Sequence, residues 1–144
     1  MTFFSPPIKR LAAVLLVIAA LFWLRRYGLG QHIPAFYVKY GGSALWASMV
    51  YFLIALLMPS RAPKQILFIA GLICALVEIL RLYHTPALDV VRLTLVGQIL
   101  FGRIFSFADF IAYAVGLALA FGLDLAAAQK FFLRRAKKSS RRRR

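Results

Sequence analysis

The chain carries four acidic side chains, Glu78, Asp89, Asp109 and Asp124, against nineteen lysines and arginines. Three of the four fall between Glu78 and Tyr113, in company with Arg81, Tyr83, His84, Arg92 and Arg103. This grouping makes Glu78, Arg81, His84, Asp89, Arg92, Asp109 and Tyr113 the best candidate binding site in the sequence. Arg81 or Arg92 would supply a partner for phosphate or carboxylate, whose oxygens match the guanidinium fork. The same spacings also offer structural uses. Glu78 and Arg81 stand i, i+3, as do Asp89 and Arg92, and such pairs stabilise an exposed helix by about 0.2–0.5 kcal/mol. Asp89 in a first helical turn also suits the helix dipole. Asp109 follows Ser106 by three residues, the spacing of a capping box. Tyr113, one turn further on, is within reach of Asp109 or of an aromatic belt.

Other chemistries lack their residues. His32 and His84 have no metal-ligand spacing and Cys74 is the single cysteine, so neither a metal site nor an internal disulfide is expected. No serine nucleophile elbow, P-loop, dinucleotide fingerprint or zinc-binding cysteine set occurs, and no cofactor is implied. Nothing in the pattern establishes catalysis.

Positioning these residues falls to elements that lie in lipid. Of the 144 residues 62% are hydrophobic, above the roughly 45–50% of soluble domains, and a domain this small cannot hide so much apolar surface. The formal charge of +15 suggests nucleic acid until the charges are located. Nine of the nineteen cations lie between Lys130 and Arg144, and most others sit at the edges of apolar runs. Membrane orientation and snorkelling account for that placement. Nucleic acid is therefore disfavoured, and the expected partners are the bilayer and, at the basic tail, anionic lipids.

The apolar runs predict an all-α integral membrane protein of about four transmembrane helices plus one interfacial or re-entrant helix. Residues 1–128 would form a single domain with spans at about 8–27, 43–58, 65–81 and 105–123, and 129–144 a basic, disordered cytoplasmic tail. Lys9-Arg10 and Arg25-Arg26 fence the first run and would snorkel outward. Trp23-Leu24-Arg25-Arg26 follows it with no small-x-small cleavage site, which favours an anchor over a signal peptide. Residues 27–43 read as a turn-rich stretch ending in Gly41-Gly42-Ser43. Thr85-Pro86 reads as a helix start, opening a non-spanning helix at about 86–101. That helix has Asp89 and Arg92 on one side and Thr94 and Gln98 on the other, a poor surface for lipid.

Counting cations by segment, four crossings with both ends inside the cell place thirteen inside against six outside. The tail alone decides this sidedness. The protein would then sit in a bacterial inner membrane with both termini cytoplasmic and the polar cluster at the outer face. Small residues recur at helical spacing in Ala108, Ala112, Gly116 and Ala120, and Gly71 and Ala75 lead on to Glu78, which should turn into the bundle.

From about Leu24 to Leu119 the chain resembles a family of small bacterial membrane proteins known as domain of unknown function 2809. The resemblance rests on Tyr40-Gly41-Gly42-Ser43-Ala44-Leu45-Trp46, Val50-Tyr51, Glu78 with Leu82-Tyr83-His84, and Leu88-Asp89-Val90-Val91-Arg92. It continues through Gly97, Gly102, Phe105-Ser106-Phe107, Asp109 and Ala112-Tyr113-Ala114-Val115-Gly116. Arg81 stands where the family pattern has Gln, and Leu88 where it often has Trp. The family is distantly similar to the VanZ-like family, which implies a four-helix membrane protein with a role in the cell envelope or in glycopeptide resistance. The first functional expectation is thus binding or processing of an envelope or lipid-linked substrate at the outer face. The alternative is a non-catalytic scaffold or subunit that associates with a membrane-protein partner. A transporter is disfavoured by four short spans with no broken-helix repeat.

Overall fold

The computed structural model describes residues 7–83, 85–94, 97 and 106–142, without the side chains of 29, 88, 92 and 131–142. Five α-helices are described: α1 Pro7–Tyr27, α2 Ala35–Leu57, α3 Pro63–Leu80, α4 Pro86–Leu93 and α5 Phe107–Arg142. No strand occurs among the described residues. Helices α1, α2, α3 and the Phe107–Lys130 part of α5 are long and apolar enough to cross a membrane. At 1.5 Å per residue these spans measure about 27–36 Å, against a hydrocarbon core of roughly 30 Å.

Local chemistry sets the ends. Helix α2 stops at Leu57 because Pro59 cannot continue it, and the Met58 N–H makes the last bond, to Ile54 O at 2.8 Å. Helix α3 restarts on Pro63, and Gln65 Oε1 accepts the Ala62 N–H at 3.3 Å, half of a capping box. Three boundaries differ from the sequence reading. Helix α2 begins at Ala35, so Gly41, Gly42 and Ser43 are helical. Gly42 is there because a Cβ would come within 3.0 Å of Arg25 Nε on α1. Helix α4 has eight residues, about 12 Å of rise and too short to cross by itself. Beyond it Thr94 Oγ1 donates to Val91 O (2.7 Å) and accepts the Gly97 N–H (3.0 Å), a side chain competing with the helical ladder. The rest of the expected 86–101 helix, apart from Gly97, lies outside the described residues.

The third difference is in the tail. The backbone stays helical to Arg142, where the charge run predicts disorder. Propagating a formed helix costs little, and the added segment is rich in Lys and Arg, both good helix formers.

Helix α2 lies in the middle and packs against α1, α3 and α5; α3 also packs on α5, while α1 makes no comparable contact with either. The core joins Val14, Val17 and Leu21 to Trp46, Val50 and Tyr51, and these to Ile66, Ala70, Cys74, Tyr113 and Leu117. The stripe that α3 buries is Ile66, Ala70, Cys74 and Glu78, at i, i+4, with Gly71 and Ala75 at its margin. On α5, Ala112, Gly116 and Ala120 are buried and Ala108 is exposed. Gly116 permits the closest helix approach, since a Cβ there would collide with the Ala44 carbonyl of α2. Ser48 Oγ donates across this contact to Gly116 O at 2.9 Å. Leu16, Phe68, Leu72, Ile111 and Leu119 face outward, fully consistent with lipid as the surrounding solvent.

Candidate functional site

One end of the bundle gathers the last turn of α3, the first turn of α5 and the upstream part of α2. Glu78 reaches it because it continues the buried stripe of α3. Arg81, three residues on, caps that helix and folds back over it. Asp109 occupies the first turn of α5, where a carboxylate also suits the helix dipole.

The two carboxylates meet at a single nitrogen. Arg81 Nη1 lies 2.7 Å from Glu78 Oε2 and 2.9 Å from Asp109 Oδ2. Neutral donors fill the remaining positions. The Tyr113 hydroxyl donates to Glu78 Oε2 at 2.7 Å, and the Ser106 N–H to Glu78 Oε1 at 2.9 Å. The Ser43 hydroxyl lies 3.1 Å from Asp109 Oδ1 and 3.2 Å from the Lys39 carbonyl. The carboxylate is the stronger acceptor of the two. The Arg81 guanidinium stands 5.9 Å from the Tyr113 ring centre, and the Trp46 ring lies 5.7 Å from it, tilted by 47°. Glu78 is 0%, Asp109 1% and Arg81 5% exposed, so the cluster is sealed from its surroundings. Two carboxylates against Arg81 leave one negative charge. Arg25, at the end of α1, lies within charge–charge range of Arg81 and Asp109.

The structure thus brings together Glu78, Arg81, Asp109 and Tyr113 from the sequence candidates. Tyr113 reaches Glu78 rather than Asp109, and at 2% exposure it belongs to the core and not to an aromatic belt. The reciprocal Ser106–Asp109 box is replaced by bonds to Glu78, Ser43 and Arg81. Asp89 sits half-buried on α4, its N–H on Thr85 O at 2.9 Å. His84 and the Arg92 side chain lie outside the described residues. Ser43 and Arg25 are additions. Ser43 lies within the Tyr40–Trp46 stretch that carries the family resemblance; Arg25 had no signal beyond its place at a helix end.

The opposite end holds a second buried pair. Arg10 Nε and Nη2 lie 3.0 and 2.8 Å from Asp124 Oδ1 and Oδ2, and Arg10 Nη1 donates to Ala55 O at 2.9 Å. The Tyr51 hydroxyl completes the group at 3.3 Å from Asp124 Oδ2. Arg10 is 1% exposed, so it does not snorkel outward as its position at the edge of an apolar run suggests. A carboxylate 114 residues away draws it inward. Among the described residues no group of histidine, cysteine and acidic side chains could hold a metal ion.

The profile of the family described as "Protein of unknown function (DUF2809)" matches residues 32–117. The chain belongs to this family. The matched stretch contains Ser43, Glu78, Arg81, Asp109 and Tyr113, and excludes Arg10, Arg25 and Asp124. No solved structure matches the chain.

Proposed function

We propose that this DUF2809 protein spans a bacterial inner membrane with both termini cytoplasmic, and binds or processes an envelope or lipid-linked substrate at its outer face. The observation that carries this reading is the convergence of Glu78 and Asp109 on Arg81 inside a bundle with a lipid-facing exterior. Ionisable groups at such depth are expensive, and they turn inward to serve pathways and sites. The positive charge of the carboxyl-terminal segment supports the sidedness, and anionic lipids are its proposed partner at about 1 kcal/mol per cation. The resemblance to the VanZ-like family read from the sequence is what suggests an envelope role. Asp89, on α4 beside the cluster in sequence, and Arg92 and His84 belong to the same proposed site.

Separate Glu78→Gln, Asp109→Asn, Asp89→Asn and Arg92→Gln changes test it. Either change at Glu78 or Asp109 still leaves Arg81 one carboxylate, so the bundle should persist. An envelope or antibiotic-tolerance phenotype should then be lost at normal protein abundance. Loss of abundance in all four would make the cluster structural.

A second reading, a non-catalytic scaffold or subunit, is favoured by a different surface. The Gly116 stripe is consumed inside the chain, but Ala114, Ala118, Gly122 and Ala126 recur at i, i+4 on the exposed side of α5. Co-purification with one defined partner, lost on Gly122→Leu and kept in the charge variants, would mark that role.

A further inference from the structure

Every carboxylate oxygen of the polar cluster has a donor, while two donors beside it have no partner among the described residues. Each oxygen of Glu78 and Asp109 receives at least one hydrogen bond. Arg25 Nε and Trp46 Nε1 are buried and have no hydrogen-bond partner among the described residues. An unsatisfied buried N–H is destabilising, and native structures leave few of them without a reason.

Both orphan donors belong to one corner. Gly42 and Trp46 are i, i+4 and share a face of α2. The Arg25 guanidinium lies over Gly42, with Nε 3.0 Å from where a Cβ would stand. Trp46, 5% exposed, packs on Tyr113, whose hydroxyl is bound to Glu78. An incoming group at this corner meets two unused donors, one of them on an arginine. Such a corner selects a ligand that brings oxygen atoms.

We infer that the corner between α1 and α2 binds a phosphate-type oxyanion, held by Arg25 and Trp46. The inference rests on reading this end of the bundle as a ligand site, and it names the chemistry of that ligand. Arg25 supplies charge and directed N–H bonds to the oxyanion, while the indole N–H adds one neutral bond. Gly42 keeps the space in which the guanidinium lies. The phosphate can belong to a lipid headgroup or be free in solution.

The test uses the full chain in maltoside micelles and phosphate-free buffer, with the two tryptophan indoles labelled with nitrogen-15. Trp46→Phe assigns the Trp46 resonance against that of Trp23. Inorganic phosphate and a short-chain phosphatidylglycerol are titrated separately. The Trp46 indole signal should move in at least one titration: with phosphatidylglycerol alone for a headgroup site, and with inorganic phosphate as well for a site that accepts the free ion. Arg25→Gln should weaken the response about tenfold or more, equivalent to 1.4 kcal/mol or more, and Arg25→Lys should retain part of it. Gly42→Ala, which crowds the guanidinium without removing it, should weaken it too if Arg25→Gln does not fold. A Trp46 signal unmoved by both probes, or moved equally in the wild-type chain and the folded Arg25 or Gly42 variant, would overturn the inference. If Glu78→Gln still abolished the phenotype in that case, only the oxyanion would fall. If binding held while every site variant kept its phenotype, the functional reading would fall and the oxyanion site would stand.

Discussion

Arg10 and Asp124 lock the two ends of the sequence together: both oxygens of the carboxylate are taken by one guanidinium, at 3.0 and 2.8 Å. Helix α1 packs along α2 and makes little other contact with α5, so this pair is what fixes α1 against the last span. At the other end Arg81 does a different job. It joins two carboxylates, from α3 and α5, through one nitrogen.

Removing one member of the Arg10–Asp124 pair should be costly, because it strands a buried charge. Arg10→Met or Asp124→Leu alone should lower stability by about 3–5 kcal/mol. The double change Arg10→Met with Asp124→Leu should recover most of that loss, as apolar replacements of buried pairs often do. Denaturant unfolding in micelles measures the cycle; single losses that simply add in the double variant would show that the two residues act independently.

Arg81→Ala leaves Glu78 and Asp109 buried side by side with their shared cation gone. Protein abundance and thermal stability should fall sharply. Neutralising both acids in the same chain, with Glu78→Gln and Asp109→Asn, should restore much of the loss. Tyr113→Phe removes one neutral donor and should cost only about 1 kcal/mol. If the triple variant is no more stable than Arg81→Ala alone, charge is not what Arg81 contributes.

Glycines on opposite sides of α5 should respond differently. Gly116→Leu drives a side chain into the Ala44 backbone and should prevent the helices from packing, seen as loss of folded protein. Gly122 has nothing within 4 Å of a new Cβ, and Gly122→Leu should leave the fold intact. Thermal unfolding of the two purified variants separates them; equal damage would contradict the α2–α5 packing.

Much of the architecture was legible in the sequence, because lipid imposes a strong rule on it. A span must be apolar over about twenty residues, and the four runs stand out for that reason. Glu78 could be turned inward by the same physics, since an acid facing lipid is costly. Helix ends governed by packing were harder. The Gly41-Gly42-Ser43 stretch has the composition of a turn, yet the approach of Arg25 makes small residues useful within a helix. Arg10 at the edge of an apolar run invites the snorkelling reading, and only its distant partner Asp124 overrules it. Tyr113 stands one turn from Asp109 and binds Glu78 instead, because helical spacing says nothing about a neighbouring helix. Pairs of that kind depend on tertiary contact, so spacing along the chain could not reveal them.

The central claim is a four-crossing bundle whose polar cluster faces away from the basic carboxyl-terminal segment. Single cysteines placed by Tyr83→Cys and Ser139→Cys in a Cys74→Ala chain test it with a membrane-impermeant thiol reagent on intact cells whose outer membrane has been opened. Position 83 should label from outside, and position 139 only after the inner membrane is permeabilised. Labelling of both from the same side would contradict the four-crossing topology and, with it, the outer-face site.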